Sequence, residues 1–143
     1  MSELMMPHMA NNIGSVFGGV IMSLMDRVAA VAAMRHAGCP VVTVAVDEID
    51  FHEPIRLGEV VTAYAAVNFV GRTSMEVGVR FESENPLTRE RRHTNSSYLT
   101  FVGIDANRRP VTVPQVVPET EDEKRWYHAG KQRRAQRLAR KRG

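Results

Sequence analysis

The chain has 143 residues, which suits one domain. That length can remove roughly two-thirds of the unfolded surface from water. A single cysteine, Cys39, excludes an intrachain disulfide and agrees with a reducing compartment. Nineteen basic residues against sixteen acidic give a net charge of +3, unevenly spread: residues 124–143 hold nine of the nineteen and no acid, so a mildly acidic domain carries a basic tail.

Residues 1–16 read as irregular, with Pro7 and the polar pair Asn11-Asn12. They show no basic n-region, long apolar stretch or small-residue cleavage site, so no secretory signal is expected. A short strand around Glu3 to Met6 is the one element assigned here. A helix is predicted from Phe17-Gly18-Gly19 to about His36. Its apolar residues, from Val20 to Met34, cover almost the whole circumference, as in a helix buried inside a domain. Gly38 and Pro40 end it. Asp26 and Arg27 interrupt the apolar run, which is too short and too charged for a good membrane span. The expected location is the cytoplasm.

Four extended segments follow. Val41 to Phe51 alternates as Val42, Val44, Val46 and resumes out of phase at Ile49 and Phe51, which predicts a bulge near Asp47-Glu48. Glu59 to Val70 is β-branched and aromatic. Thr73 to Phe81 alternates, with Met75, Val77, Val79 and Phe81 on one face and Ser74, Glu76, Arg80 and Glu82 on the other. Thr94 to Ile104 is the last strand. Short links at Gly71 and Asn85-Pro86 favour an antiparallel meander. Such a sheet leaves a face to be covered, and one apolar helix can cover it. The class is α+β: a curved sheet of about five strands around a central helix. Residues 105–118 read as a proline-punctuated arm. From Glu119 a second helix is expected, acidic at its start and basic at its end, its far end fraying into solvent.

The stretch from Pro7 to Asp26 carries the chemistry. Two glycines at a helix start let another group approach the backbone. The unpaired N–H donors of that first turn suit an anion or a polarised carbonyl, including the oxyanion of acyl transfer. Asp26 stands in an otherwise apolar helix. Buried, it is a candidate general base or nucleophile. Facing solvent beside Ser23 and Arg27, it belongs to a thin polar stripe. Gly19 and Asp26 lie roughly 10 Å apart along a helix rising 1.5 Å per residue. Both cannot reach one ester carbon, so a working site needs a second, antiparallel copy of the helix across a two-fold axis.

These residues bring a family into view. The chain resembles the hotdog-fold acyl-CoA thioesterases of the cytosolic acyl-CoA hydrolase type. The matching strings are Asn11-x-x-Gly14-x-x-Phe17-Gly18-Gly19, Met22-x-x-Met25-Asp26, Val41 to Asp47 with Asp50-Phe51 and Pro54, Val70 to Val77, Leu99 to Val102, and Val113 to Thr120. They are collinear and span nearly the whole chain. The resemblance implies residues 1–118 as the hotdog hydrolase domain and 119–143 as a basic helical tail. It implies hydrolysis of acyl-CoA to a free acid and CoA, with no cofactor. Asn11 and Asp26 match the catalytic pair, Asp26 as general base or, by direct attack, nucleophile, and Asn11 orienting water or substrate. Gly18 or Gly19 would offer a backbone N–H to the thioester oxygen. Gly71, Arg72, Thr73 and Ser74 match a contact with the pantetheine or phosphates of CoA. Arg91, with Arg89 and Arg92, forms a second basic cluster that reads either as a solvated turn or as a hold on the nucleotide end. A homodimer or higher oligomer is implied, a hexamer built as a trimer of dimers being common in the family. Many bacterial relatives carry Asp-Thr before the asparagine where this chain has Met9-Ala10, a difference that bears on substrate contacts.

Other signals are bland. His8 reads as a solvated loop histidine and Cys39 as a helix-end residue. No His/Cys cluster has metal-ligand spacing, and no phosphate-binding loop or dinucleotide fingerprint is present. The basic tail reads as a solvated helix end, with no nucleic acid expected and no membrane insertion. Two other classes compete with the enzyme: a non-catalytic acyl-CoA or nucleotide-binding hotdog protein, and a nucleic-acid binder driven by residues 124–143.

Overall fold

The computed structural model describes residues 1–47 and 49–142, with the backbone alone for Asp50, Phe51 and Arg142. In chain order the elements are β1 (Ser2–Leu4), a 3-10 turn (Pro7–Met9), α1 (Gly18–Ala37), β2 (Val41–Val46), β3 (Asp50–Phe51), β4 (Val60–Val70), β5 (Ser74–Glu84), β6 (Arg91–Gly103) and α2 (Glu121–Arg142). The strands form one antiparallel sheet in the order β1-β4-β5-β6-β2, and β3 continues the pairing along β6. β4, β5 and β6 make the expected meander.

The core lies between α1 and one face of this sheet. Ile21, Leu24, Met25, Val28, Ala29 and Ala33 recur at helical spacing and are buried. They meet Val61 and Ala63 of β4, Met75, Val77, Val79 and Phe81 of β5, and Leu99 and Phe101 of β6. Each large side chain buried there contributes about 1.5–3 kcal/mol. Gly38 closes the helix in the left-handed conformation, its N–H donating to Met34 O at 2.9 Å.

The apolar circumference of the helix predicts burial all round, but the single chain buries only one side of it. Met22 and Met34 are exposed, together with Asp26. The neighbouring edge strand β2 also turns Val42, Val44 and Val46 outward, at 40%, 55% and 47% exposure. The alternation was legible, but these valines face away from the core of a single chain. The β2–β6 register shifts between Thr43 and Ala45. The bulge expected near Asp47-Glu48 includes Glu48, which lies outside the described residues. The flanking pairs are Val46 opposite Leu99 and Asp50 opposite Ser96, one residue more on this strand than on its partner.

α2 begins with a capping box: Glu123 N donates to Thr120 Oγ1 at 3.0 Å and Thr120 N to Glu123 Oε1 at 3.2 Å. It covers the other face of the sheet. Tyr127 meets the Phe69 ring edge-on, centroids 5.0 Å apart. Gly130 lies so close that an added methyl carbon would stand 2.9 Å from Phe69 Cβ and 3.0 Å from Glu76 Oε1. Arg133 donates twice to Glu76, at 2.9 and 2.6 Å, with its guanidinium 3.5 Å above the Tyr98 ring. Arg137 reaches Asp47 Oδ2 at 3.0 Å and Glu76 Oε2 at 3.7 Å. Burial works against the Arg133 charge, but the hydrogen bonds and charge of Glu76 outweigh it and hold the guanidinium above its ordinary pKa. Two expectations change here. Glu76 is not on a solvent face but 2% exposed, and the helix is docked as far as Arg137.

Candidate active site

The loop before α1 is organised by Asn11. Its Oδ1 accepts the N–H groups of Ile13 at 3.0 Å and Ser15 at 3.1 Å, while its own N–H donates to Ser15 O at 2.8 Å. This is the local bonding that asparagine offers a turn. The oxygen is thereby engaged, whereas Nδ2 has only a 3.5 Å contact with Ser15 Oγ. Asn11 therefore presents an amide donor rather than an acceptor. His8 belongs to the 3-10 turn and is exposed.

The loop delivers the chain to the helix start. Phe17 N donates to Met9 O at 2.7 Å, and Phe17 stands at the N-cap without a side-chain cap bond. Among the described residues, the amides of Gly18 and Gly19 find no acceptor. The helix thus opens on two unclaimed donors at its positive end. Nothing lies within 4 Å of the space a side chain on Gly18 would occupy.

Asp26 sits two turns further on, on the open side of α1 that faces β2. Thr43 Oγ1 donates to Asp26 Oδ1 at 2.7 Å. Arg27 points the other way, toward Glu3 of β1, at 3.9 Å. The carboxylate is thus fixed by a hydroxyl, is not neutralised by the adjacent arginine, and has exposed Met22 one turn before it on the helix. Thr43 is the site residue that sequence reasoning missed. It was read only as one position in the string from Val41 to Asp47. Its signal was a lone hydroxyl among valines on the strand that follows the helix.

Gly71, Arg72, Thr73 and Ser74 form the β4–β5 turn, at the end of the sheet toward the C-terminus of α1. The arm pins its backbone: Gln115 Nε2 donates to Gly71 O at 2.9 Å, and Val113 N to Arg72 O at 2.9 Å. Arg91 lies at the opposite end of the sheet. It pairs with Glu84 at 2.8 Å and Glu82 at 3.9 Å, and Arg89 lies 3.4 Å from Glu84. Arg92 binds Glu53 at 2.6 Å and Glu59 at 2.7 Å. Burial opposes the Arg92 charge, but hydrogen bonds and charge from Glu53 and Glu59 hold its pKa above the ordinary value. The charges of all three arginines are met within the chain. Asp47 binds Arg137, and Asp50 is described only by its backbone. Among the described residues no group of three His, Cys, Asp or Glu could hold a metal ion, and no helix is long and apolar enough to cross a membrane.

Comparisons with known proteins bear on the family and the fold. The family described as Thioesterase superfamily matches residues 13–89. The uncharacterized acyl-CoA thioester hydrolase YkhA of Bacillus subtilis is 42% identical over 132 residues, covering 92% of this chain and 77% of the relative. The cytosolic acyl coenzyme A thioester hydrolase of Rattus norvegicus is 40% identical over 91% of this chain, which spans 35% of that protein. Among solved structures, an apo-hexameric acyl-CoA thioesterase superposes with a TM-score of 0.94 at 41% identity, covering 98% of this chain and 90% of the other. The acyl-CoA hydrolase of Staphylococcus aureus, solved with butyryl coenzyme A and coenzyme A, gives 0.91 at 37% identity, over 99% and 86%. With a family model matching more than half of the chain, relatives about 40% identical over most of it and solved structures superposing along nearly its whole length, the chain is a hotdog protein and belongs to the thioesterase superfamily.

Proposed function

We propose that the chain hydrolyses acyl-CoA to a free carboxylic acid and CoA without a cofactor, in a site shared by two copies. The observation that carries this reading is Asp26, held by Thr43 on an open face of α1 beside exposed Met22. An edge strand with outward valines beside a half-covered helix is a surface built to be covered. A second copy turned over against it brings the start of its own α1 toward this Asp26. Asp26 then takes a proton from water as the water oxygen attacks the thioester carbon. The Gly18 and Gly19 amides of the second copy and the Nδ2 group of Asn11 bind the developing oxyanion. Collapse of the tetrahedral adduct breaks the carbon–sulfur bond and releases CoA thiolate. In further support, variants of the Staphylococcus aureus hydrolase with one asparagine, one aspartate or one threonine replaced by alanine have been solved, and those three positions share the spacing of Asn11, Asp26 and Thr43. Hexamers among the solved relatives support assembly beyond the dimer; the arrangement in this reading is a trimer of dimers.

Residues 1–118 form the hydrolase domain in this reading, residues 119–143 are its helical tail, and the expected location is the cytoplasm. The test is thiol release from a panel of acyl-CoAs of varied chain length, with light scattering to follow assembly. Turnover by the parent and its loss in Asp26→Ala and Asn11→Ala, with the oligomer intact, is the expected result. Tight CoA binding with no thiol release would instead support a non-catalytic binding protein.

A further inference from the structure

The segment 52–59 joins β3 to β4 and is neither helix nor strand. The loop that carries Asn11 leans on it. Val16 N donates to Ile55 O at 2.9 Å, and Ser15 forms an isolated antiparallel bridge with Arg56. Ser15 N in turn donates to Asn11 Oδ1 at 3.1 Å, and Asn11 N to Ser15 O at 2.8 Å. The backbone at Ile55 and Arg56 is therefore the wall against which the Asn11 turn is set. A connecting segment of this kind moves unless something ties it down.

The tie is Arg92, on β6. Its Nη1 donates to Glu53 Oε2 at 2.6 Å, and its Nη2 donates to Pro54 O at 2.8 Å and to Glu59 Oε1 at 2.7 Å. Glu59 is buried, and the same oxygen accepts Arg56 N at 2.7 Å. One guanidinium thus grips the segment on both sides of Ile55. A planar fork of donors in fixed directions can do this, whereas a lysine ammonium is a single point charge. The neighbouring side chains offer no substitute. Ser83, opposite Arg92 in the β5–β6 register, and Thr94 and Asn95 on β6 are each 0% exposed, and their side-chain polar atoms find no partner among the described residues. His52 N donates to Thr94 O at 2.9 Å, but among the described residues Arg92 is the only side chain that hydrogen-bonds residues 53–55 to the sheet.

We propose that Arg92 is a positioning residue for the hydrolysis: by clamping residues 53–59 it fixes the backbone on which residues 11–17 rest, and so sets the direction of the Asn11 amide. This rests on the acyl-CoA reading above and adds to it a residue that never touches substrate. Arg92 acts through Ile55 and Arg56 on Ser15 and Val16, and through Ser15 on Asn11. Its two Nη groups already donate three times within the chain, which sets it apart from a hold on a ligand.

The experiment follows Arg92→Met, which removes the fork and keeps an apolar stem, in the full chain and its native oligomer. Residue-resolved amide hydrogen exchange is expected to quicken about tenfold at Ser15 and Val16 and to stay at the parent rates at Leu24 and Ala29 in the core of α1. Equal quickening at all four would mark Arg92 as merely structural and overturn the proposal. With acyl-CoA, kcat is expected to fall about tenfold while KM stays within about twofold. In an Asn11→Ala background the same substitution lowers kcat no further, because the group it positions is gone. Two losses that multiply overturn the proposal, as does an unchanged kcat in Arg92→Met. Arg92→Lys keeps the charge without the fork and recovers only part of the rate. Should Arg92→Met fail to fold, Glu53→Gln loosens only the exposed arm of the clamp, and the same pattern is expected at about threefold. Unchanged exchange at Ser15 and Val16 removes the clamp from the account whatever the turnover. If exchange there quickens but the parent releases no thiol from any acyl-CoA, the hydrolase reading fails alone and the hold of Arg92 on the Asn11 turn stands.

Discussion

Helix α1 and helix α2 lie on opposite faces of the same sheet, and the chain holds them there by different means. α1 is held by apolar packing, with Leu24, Ala29 and Ala33 at 0% exposure. Its one acid, Asp26, stays out of that contact. α2 meets the sheet through Gly130, one edge-on aromatic pair and a buried carboxylate clasped by two arginines. The first arrangement leaves a carboxylate outside the packing. The second spends one on attachment. A buried ion pair is no stronger than the apolar contact it replaces, yet it is costly to break and strict about geometry. The α1 side of the molecule is therefore tolerant of shape and sensitive to volume, and the α2 side is the reverse.

That contrast can be tested from both ends. The largest effect is catalytic. Asp26→Ala should lower kcat by about a hundred- to ten-thousand-fold, the range for a lost general base, with an unchanged denaturation midpoint, since the residue is exposed in the single chain. A variant that unfolds earlier instead would mean that Asp26 is structural. Next comes Leu24→Ala under α1, expected to cost about 2–5 kcal/mol in urea and to respond little to added salt. Arg133→Met under α2 leaves Glu76 with Arg137 at 3.7 Å and Asn68 at 3.4 Å. It should cost roughly 3 kcal/mol, the low end for breaking a buried pair. If Arg133→Met were neutral, the clasp would contribute nothing beyond packing. Thr43→Val keeps the shape of the strand and removes the 2.7 Å bond to Asp26. It should lower kcat by roughly tenfold at constant stability, the cost of one hydrogen bond to a charged group. Smallest is Thr120→Ala at the start of α2, about 1 kcal/mol for a lost N-cap, read as a shift in thermal midpoint.

The sequence revealed the α1 side more fully than the α2 side, for physical reasons. The boundaries of α1 followed from its glycines, and the inward row of β5 from period-two alternation, because both rules concern local backbone and burial. Glu76 defeated the same rule. An acid in the outward row of a strand normally meets water, and only the docking of α2 reverses that. The arginines of α2 in turn look like a solvated charge run, because what distinguishes Arg133 from Arg140 is a carboxylate far away in the chain. The outward valines of β2 carried an apolar signal whose partner is not in the same chain. Of the candidate site, the loop asparagine, the helix acid and the paired glycines were legible as a motif. Thr43 was not, since a threonine in a strand is ordinary and only the 2.7 Å approach to Asp26 singles it out.

The clasp under α2 also bears on the order in which the molecule assembles. Glu76 is 57 positions from Arg133, and Asp47 is 90 from Arg137. A nascent chain that has completed β6 already owns every strand, but its central strand carries a negative charge destined for a dry place and still lacks its counter-ions. Such a half-made sheet has reason to stay loose until the helix arrives. Synthesis of the last helix, rather than of the last strand, is then the event that commits the domain to its final shape.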